Sequence, residues 1–243
     1  MGGVGMAKAG HGRTLVAVAT YNEKENIAAL LLAIFESLPD AEILVVDDAS
    51  PDGTGKIVEE MRKDKPRIHV IHRSGKLGLG TAILEAMRFA IAKDFAYIFT
   101  MDADFSHPPI RLRDIQAGMD SHDVMIGSRY IPGGSISGWN WTRLFMSRGI
   151  NLYSRFLLRL PVKDCSGGFR GYRVAKLRQI DFEQVRSKGY SFMEEFLFHC
   201  KRVGCRFGET PIHFENRKHG DSKLDLREAV VALWSLLILA LRG

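Results

Sequence analysis

The chain has 243 residues, of which 46% are hydrophobic, 26% charged and 9% aromatic, enough to bury a sizeable core. This profile excludes a disordered chain, a collagen-like repeat and a small disulfide scaffold. Lys and Arg number 34 against 28 Asp and Glu, a formal charge of +6 that points to an anionic partner: nucleotide, phospholipid head group or nucleic acid. The three cysteines, Cys165, Cys200 and Cys205, lack metal-like spacing and read as free thiols in a reducing compartment.

Residues 1–12 are Gly-rich, lack the apolar run of a signal peptide and read as a loose tail. From there the chain alternates strand and helix patterns. Strands are expected over 14–20, 42–47, 68–72, 97–101 and 123–127. Helices are expected over 26–38, 55–63 and 80–92, with another beginning near Pro108. Strand starts recur about every 25–30 residues, the span of a βαβ unit, so the expected fold is a mostly parallel sheet with helices on both faces. A Gly/Ser loop follows over 130–140, then a long helix over 141–160 that Pro161 ends and that carries Arg148, Arg155 and Arg159 near one face. A Gly-rich turn at 166–168, a strand-like run and a helix over 192–203 come next. Residues 229–241 are apolar except for Ser235. As a helix they would reach about 20 Å, short of the roughly 30 Å needed to cross hydrocarbon. Such a helix lies on a membrane, packs in a dimer or closes the core. The division expected is a tail over 1–12, a catalytic domain over 13–225 and an apolar C-terminal helix over 226–243.

Ligands of open α/β sheets bind beyond the carboxyl ends of the strands. Here the first strand runs into Tyr21-Asn22-Glu23, the second into Asp47-Asp48-Ala49-Ser50-Pro51-Asp52-Gly53-Thr54, and the fourth into Asp102-Ala103-Asp104. One Asp-rich turn is explained by capping. Three at matching strand ends gather like charges that repel, and such a rim needs a ligand to justify it. Asp102 and Asp104 suit a hard divalent cation, Mg²⁺ or Mn²⁺, whose remaining positions phosphate oxygens and water fill. The 47–54 loop suits a base and a ribose. No GxxxxGK[ST] sequence is present, and the glycines between Gly75 and Gly80 do not match GxGxxG. His107 reads as an outer group of the metal site or a turn residue. Beyond the sheet stand Arg129, Arg143, Arg217, Lys218 and Lys223, cations able to hold phosphates; Arg143 and Ser147 share a helical face.

The chain resembles family-2 glycosyltransferases of GT-A fold and, more narrowly, polyprenyl-phosphate (dolichol-phosphate) mannose synthases. The resemblance rests on Thr-Tyr-Asn-Glu (20–23), Val-Val-Asp-Asp-Ala-Ser-Pro-Asp-Gly-Thr (45–54), Gly-Leu-Gly-Thr-Ala (78–82) and Met-Asp-Ala-Asp-Phe-Ser-His-Pro (101–108). It continues through Gly-Ser-Arg-Tyr (127–130), Ser-Gly-Gly-Phe-Arg-Gly-Tyr-Arg (166–173), Lys-Gly-Tyr-Ser-Phe (188–192) and 211–223 with its His-Gly-Asp-Ser-Lys. It implies GDP-mannose as donor and a polyprenyl phosphate as acceptor. It also implies Tyr21, Glu23, Asp47 and Asp48 at the nucleoside, Asp102 and Asp104 at the metal and donor phosphates, and Arg217 and Lys223 near the donor diphosphate. Arg129, Arg143 and Ser147 fall at the acceptor phosphate, and Asp102, Asp104 and Arg129 form the catalytic set. The chain departs from the pattern at Ala19, where Pro is usual, and at Ser106 and Met193, where Gln occurs. Glu195 matches a relative's Glu.

The chemistry this implies needs no general base, because the acceptor is already a phosphate anion. It needs in-line placement, screening of anion–anion repulsion and stabilisation of the leaving diphosphate. One in-line displacement inverts the anomeric centre. The expected setting is the cytosolic face of a membrane, with the chain bound peripherally through the basic helix and the apolar tail; a membrane-anchoring subunit is a candidate partner. The alternatives are a UDP-sugar donor and, in another class, a non-catalytic nucleotide-sugar-binding membrane subunit. The basic residues are not interleaved with a nucleic-acid motif, so no nucleic-acid partner is expected.

Overall fold

A computed structural model describes residues 12–187, 189, 191–216, 234 and 236–241. The first half follows the expected alternation: β1 (Thr14–Thr20), α1 (Ile27–Ser37), β2 (Glu42–Asp47), α2 (Thr54–Asp64), β3 (Ile68–His72), α3 (Leu79–Ala92), β4 (Tyr97–Asp102), α4 (Leu112–Gly118) and β5 (Val124–Ser128). A 3₁₀ turn, Pro109–Arg111, precedes α4 where an α-helix was expected to start. The second half contains β6 (Ser135–Ser137), α5 (Trp141–Leu158), β7 (Arg170–Arg173), α6 (Val174–Leu177), α7 (Phe192–Arg202), β8 (Phe207–Pro211) and β9 (His213–Glu215).

Seven strands form one sheet in the order β3-β2-β1-β4-β7-β5-β8, and β6 pairs with β9 in a separate ribbon. The sheet is mostly parallel, as expected. The exception is β7, antiparallel to both β4 and β5. After β5 the chain leaves the sheet through β6 and α5 and returns from the opposite end. Gly171 admits β7 into the slot, since a Cβ there would stand 2.6 Å from Ile115 and 2.9 Å from Phe99.

Both faces of the sheet are covered. Leu15, Ala17, Leu44, Val46 and Ile98 pack with α3 and α7 on one face. Val16, Val18, Ile43, Val45 and Phe99 pack with α1 and α4 on the other. Successive strand residues are therefore buried on alternate faces, which is why these strands are continuous apolar runs. Of the expected C-terminal helix, Trp234 and residues 236–241 are described and helical. Leu236 is buried in the first core, while Trp234 and Leu241 are exposed.

Strand order reverses at β1, with β2 and β3 on one side and β4 on the other. That switch point opens a crevice at the carboxyl ends. The register places Thr20 opposite Asp47 and Ala19 opposite Asp102, so the expected carboxylates lie on neighbouring strands at one rim.

Candidate active site

The 47–54 loop is built by its own aspartates. Asp47, buried, accepts hydrogen bonds from the hydroxyls of Thr20 (2.9 Å) and Ser50 (2.5 Å) and from the Ser50 N–H (3.1 Å). It ties β1 to β2 and sets the turn. Asp48 accepts from the N–H groups of Leu77 (3.0 Å) and Gly78 (3.1 Å), drawing the loop before α3 to the rim. Its other oxygen lies 2.7 Å from the Arg73 guanidinium, which is equally buried. Glu23 donates its N–H to the Thr54 hydroxyl and accepts from the Asn26 amide. Tyr21 is partly exposed at the mouth, with the Lys76 ammonium 4.3 Å from its ring centre. Tyr21, Glu23, Asp47 and Asp48 thus converge on one wall, and Arg73 and Lys76, without any sequence signal, join them.

At the end of β4, Asp102 remains partly open to solvent while its backbone N–H donates to Nδ1 of His107 (3.0 Å). Burial holds the His107 imidazole below its ordinary pKa. A neutral ring accepting at Nδ1 carries its proton on Nε2. The ring stacks on Phe169 at 5.3 Å and meets Phe214 at 5.8 Å. Asp104 Oδ1 accepts from the hydroxyl (2.6 Å) and N–H (3.0 Å) of Ser106, which fixes the turn. A Cβ on Gly168 would sit 3.4 Å from Asp102 Oδ1, so glycine keeps backbone close to that carboxylate. Among the described residues no three His, Cys, Asp or Glu side chains group into a complete metal site. A pair of hard carboxylates fits a divalent cation that takes its other oxygens from a diphosphate and water.

Arg129 stands differently from its sequence reading. Its Nε and Nη2 form a bidentate pair with Asp164 at 2.7 Å each, its N–H also donates to Asp164, and Nη2 donates to Ser166. Asp164 is fully buried. Burial opposes its charge, but the Arg129 guanidinium holds its pKa below the ordinary carboxylate range. Much of the Arg129 charge is thereby committed, leaving Nη1 as the arm that makes no protein hydrogen bond among the described residues. Asp164 escaped sequence reading; the only hint was an acidic residue just before Ser-Gly-Gly.

Arg143 lies at the start of α5, where Asn140 caps the helix by accepting its N–H (2.9 Å). Its Nη1 donates to Asn216 (3.2 Å) and its guanidinium packs 4.1 Å from the Trp139 ring centre. Ser147, one turn on, is hydrogen-bonded to the Tyr130 hydroxyl (2.7 Å). An aromatic path links this cluster to the aspartates: His107 touches Phe214, and Phe214 meets Trp139 at 5.5 Å. Arg217, Lys218 and Lys223 lie outside the described residues.

A wall of Tyr21, Glu23, Asp47 and Asp48, a carboxylate pair and an arginine cluster thus lie near the switch point of this sheet. Residues 15–181 match glycosyl transferase family 2, and the chain belongs to that family. It is 41% identical over 231 residues to polyprenol monophosphomannose synthase of Mycolicibacterium smegmatis, covering 92% of this chain and 87% of that one. It is 38% identical over 229 residues to undecaprenyl-phosphate mannosyltransferase of Micrococcus luteus, covering 92% and 94%. Among solved structures, glucosyl-3-phosphoglycerate synthase of Mycobacterium tuberculosis, in complex with phosphoglyceric acid, superposes with a TM-score of 0.67 at 17% identity, covering 93% of this chain and 80% of that chain. The same enzyme with Mn²⁺, uridine diphosphate and glucosyl-3-phosphoglycerate gives 0.63 at 16% identity, covering 95% and 79%. The superposition bears out the GT-A fold expected from the sequence.

Proposed function

We propose that this chain transfers mannose from GDP-mannose to a polyprenyl phosphate with inversion, releasing GDP and polyprenyl phosphomannose. The observation that carries the reading is the pair of mannosyltransferase relatives, 41% and 38% identical over nine-tenths of the chain. The site's order agrees with it. The wall of Tyr21, Glu23, Asp47 and Asp48 receives the nucleoside, with Arg73 and Lys76 beside it. Asp102 and Asp104 are the residues that would hold Mg²⁺ or Mn²⁺, and such an ion would supply positive charge to the leaving diphosphate. Arg143, Ser147 and Tyr130, with the free arm of Arg129, receive the acceptor phosphate. Arg217 and Lys223 are assigned to the donor diphosphate by resemblance. The acceptor needs no base, so the side chains act by placement and charge.

The membrane surface is part of this reading. On α5, Trp141, Phe145, Leu152 and Phe156 are 80%, 76%, 65% and 87% exposed, a stripe at helical spacing on the helix that carries Arg143. No helix among the described residues is long and apolar enough to cross a membrane. An amphipathic helix lying in the cytosolic interface would bring an acceptor's phosphate to Arg143 while its chain stays in lipid.

The test is incubation of the purified chain with radiolabelled GDP-mannose, Mg²⁺ or Mn²⁺ and a short polyprenyl phosphate, followed by organic extraction. Label in the lipid phase that requires both metal and acceptor is expected. Label appearing only from a UDP-sugar would replace the donor, and no label from any donor would remove the enzymatic reading of the chain by itself.

A further inference from the structure

Trp139 has no role in the site as assigned above, yet it lies at its centre. Three observations fix it there. Gly138, at φ +77°, turns the chain between β6 and α5, and a Cβ on it would come 2.8 Å from Asn216 Cβ. Asn216 clamps the same turn, donating its N–H to Ser137 (3.2 Å) and its amide to Gly138 (3.3 Å). Asn140 then caps α5, so Trp139 is held between a clamped turn and a helix N-terminus.

Its indole is shared by two cations. The Arg143 guanidinium carbon lies 4.1 Å from the ring centre and that of Arg129 5.6 Å. Two guanidinium groups brought together repel. Asp164 offsets the charge of Arg129, and the negative face of the indole attracts both groups. Asn216 accepts a hydrogen bond from Arg143 Nη1. An arginine side chain has many rotamers to lose, and contacts that already hold its guanidinium lower the entropy a bound phosphate has to overcome.

We propose that Trp139 is a positioning residue for the acceptor: it holds the Arg143 guanidinium beside Arg129 before the phosphate arrives. The inference rests on the acceptor reading given above. A side chain that merely filled space against Phe214 would affect stability alike with and without ligand. A positioning side chain changes acceptor affinity and leaves the donor untouched.

The experiment measures binding of a short-chain polyprenyl monophosphate to the full chain by calorimetry without donor, and steady-state kinetics in parallel. Trp139→Leu is expected to weaken acceptor binding roughly 3- to 30-fold, the range of a cation–π contact, and to raise the acceptor KM with kcat and the GDP-mannose KM unchanged. Trp139→Tyr, which keeps an aromatic face, restores binding to within about threefold of the parent chain. In an Arg143→Ala background, Trp139→Leu adds less than about twofold, because its effect runs through that arginine. Unaltered acceptor binding by Trp139→Leu, or a full additional loss in the Arg143→Ala background, would overturn the inference while leaving the functional reading standing. Absence of acceptor binding by the parent chain would overturn both. GDP binding by each variant distinguishes a folded site from a collapsed one.

Discussion

Asp104 and Asp164 are both carboxylates near the site, and their surroundings give them opposite duties. Asp104 spends one oxygen on the Ser106 turn at the end of β4. On the proposed metal assignment, Asp104→Ala is expected to lower transfer by about 100-fold or more, because the ion it would hold would offset leaving-group charge. It should cost only about 1 kcal/mol of stability, the value of a lost turn or cap contact. Assaying lipid-phase label beside a urea titration separates the two, and near-normal transfer would refute the metal assignment. Asp164 is fully buried against Arg129. Asp164→Asn leaves a buried guanidinium without its counter-charge and is expected to cost about 3–5 kcal/mol, read as a lower urea midpoint at unchanged slope. The pair's rigidity also explains why a single arm of Arg129 remains for a ligand.

At the scale of elements, α5 is the informative one. Eighteen residues long, it buries only Asn151, Ser154 and Leu158 and turns four large apolar side chains outward. Patches of that kind mark an interaction surface. Phe145→Ser with Phe156→Ser is expected to reduce sedimentation with anionic liposomes by about tenfold or more, given roughly 25 cal/mol per Å² of apolar area lost. The thermal midpoint should move little, because both rings are exposed in the folded chain. Undiminished liposome binding would assign the membrane contact elsewhere. Glycines set the contacts of neighbouring elements: a Cβ at Gly80 would strike Phe192 at 2.7 Å, so α3 and α7 approach as closely as they do only with glycine there.

For the whole molecule, pH dependence divides between two adjacent carboxyls on α7. Burial raises the pKa of Glu194 from 4.5 to about 7, and its Oε2 has no hydrogen-bond partner among the described residues. Burial also opposes the charge of Glu195, but the His199 imidazole, with Nε2 3.8 Å from Oε1, and hydrogen bonds from the N–H groups of Arg186 and Ser187 lower its pKa to about 2. The signs are opposite. Between about pH 4.5 and 7 the folded chain keeps a proton on Glu194 that the unfolded chain releases, so stability falls as pH rises. Glu195 contributes stability above pH 4.5 that is lost as pH falls towards 2. Glu194→Gln should therefore flatten stability between pH 5 and 7 and raise it at pH 8. Urea midpoints of both proteins at pH 5 and 8 decide the matter, and parallel curves would refute the assignment.

The alternation of β1 to β5 was legible in the residues alone, because strands buried on both faces must be apolar runs and the helices between them must be amphipathic. So was the carboxylate rim: a parallel sheet sends every βα turn to the same edge, so Tyr21, Asp47 and Asp102 had to converge. The antiparallel insertion of β7 emerges only in the folded chain, since its partners on β4 and β5 are set by a path of about forty residues through β6 and α5 that carries no local period. Folding alone paired Arg129 with Asp164, 35 residues apart, set Arg73 against Asp48, and brought Trp139 to both arginines. Those contacts depend on burial and charge balance across separate elements. Local residue pattern records which groups can ionise, and folding decides which of them face each other.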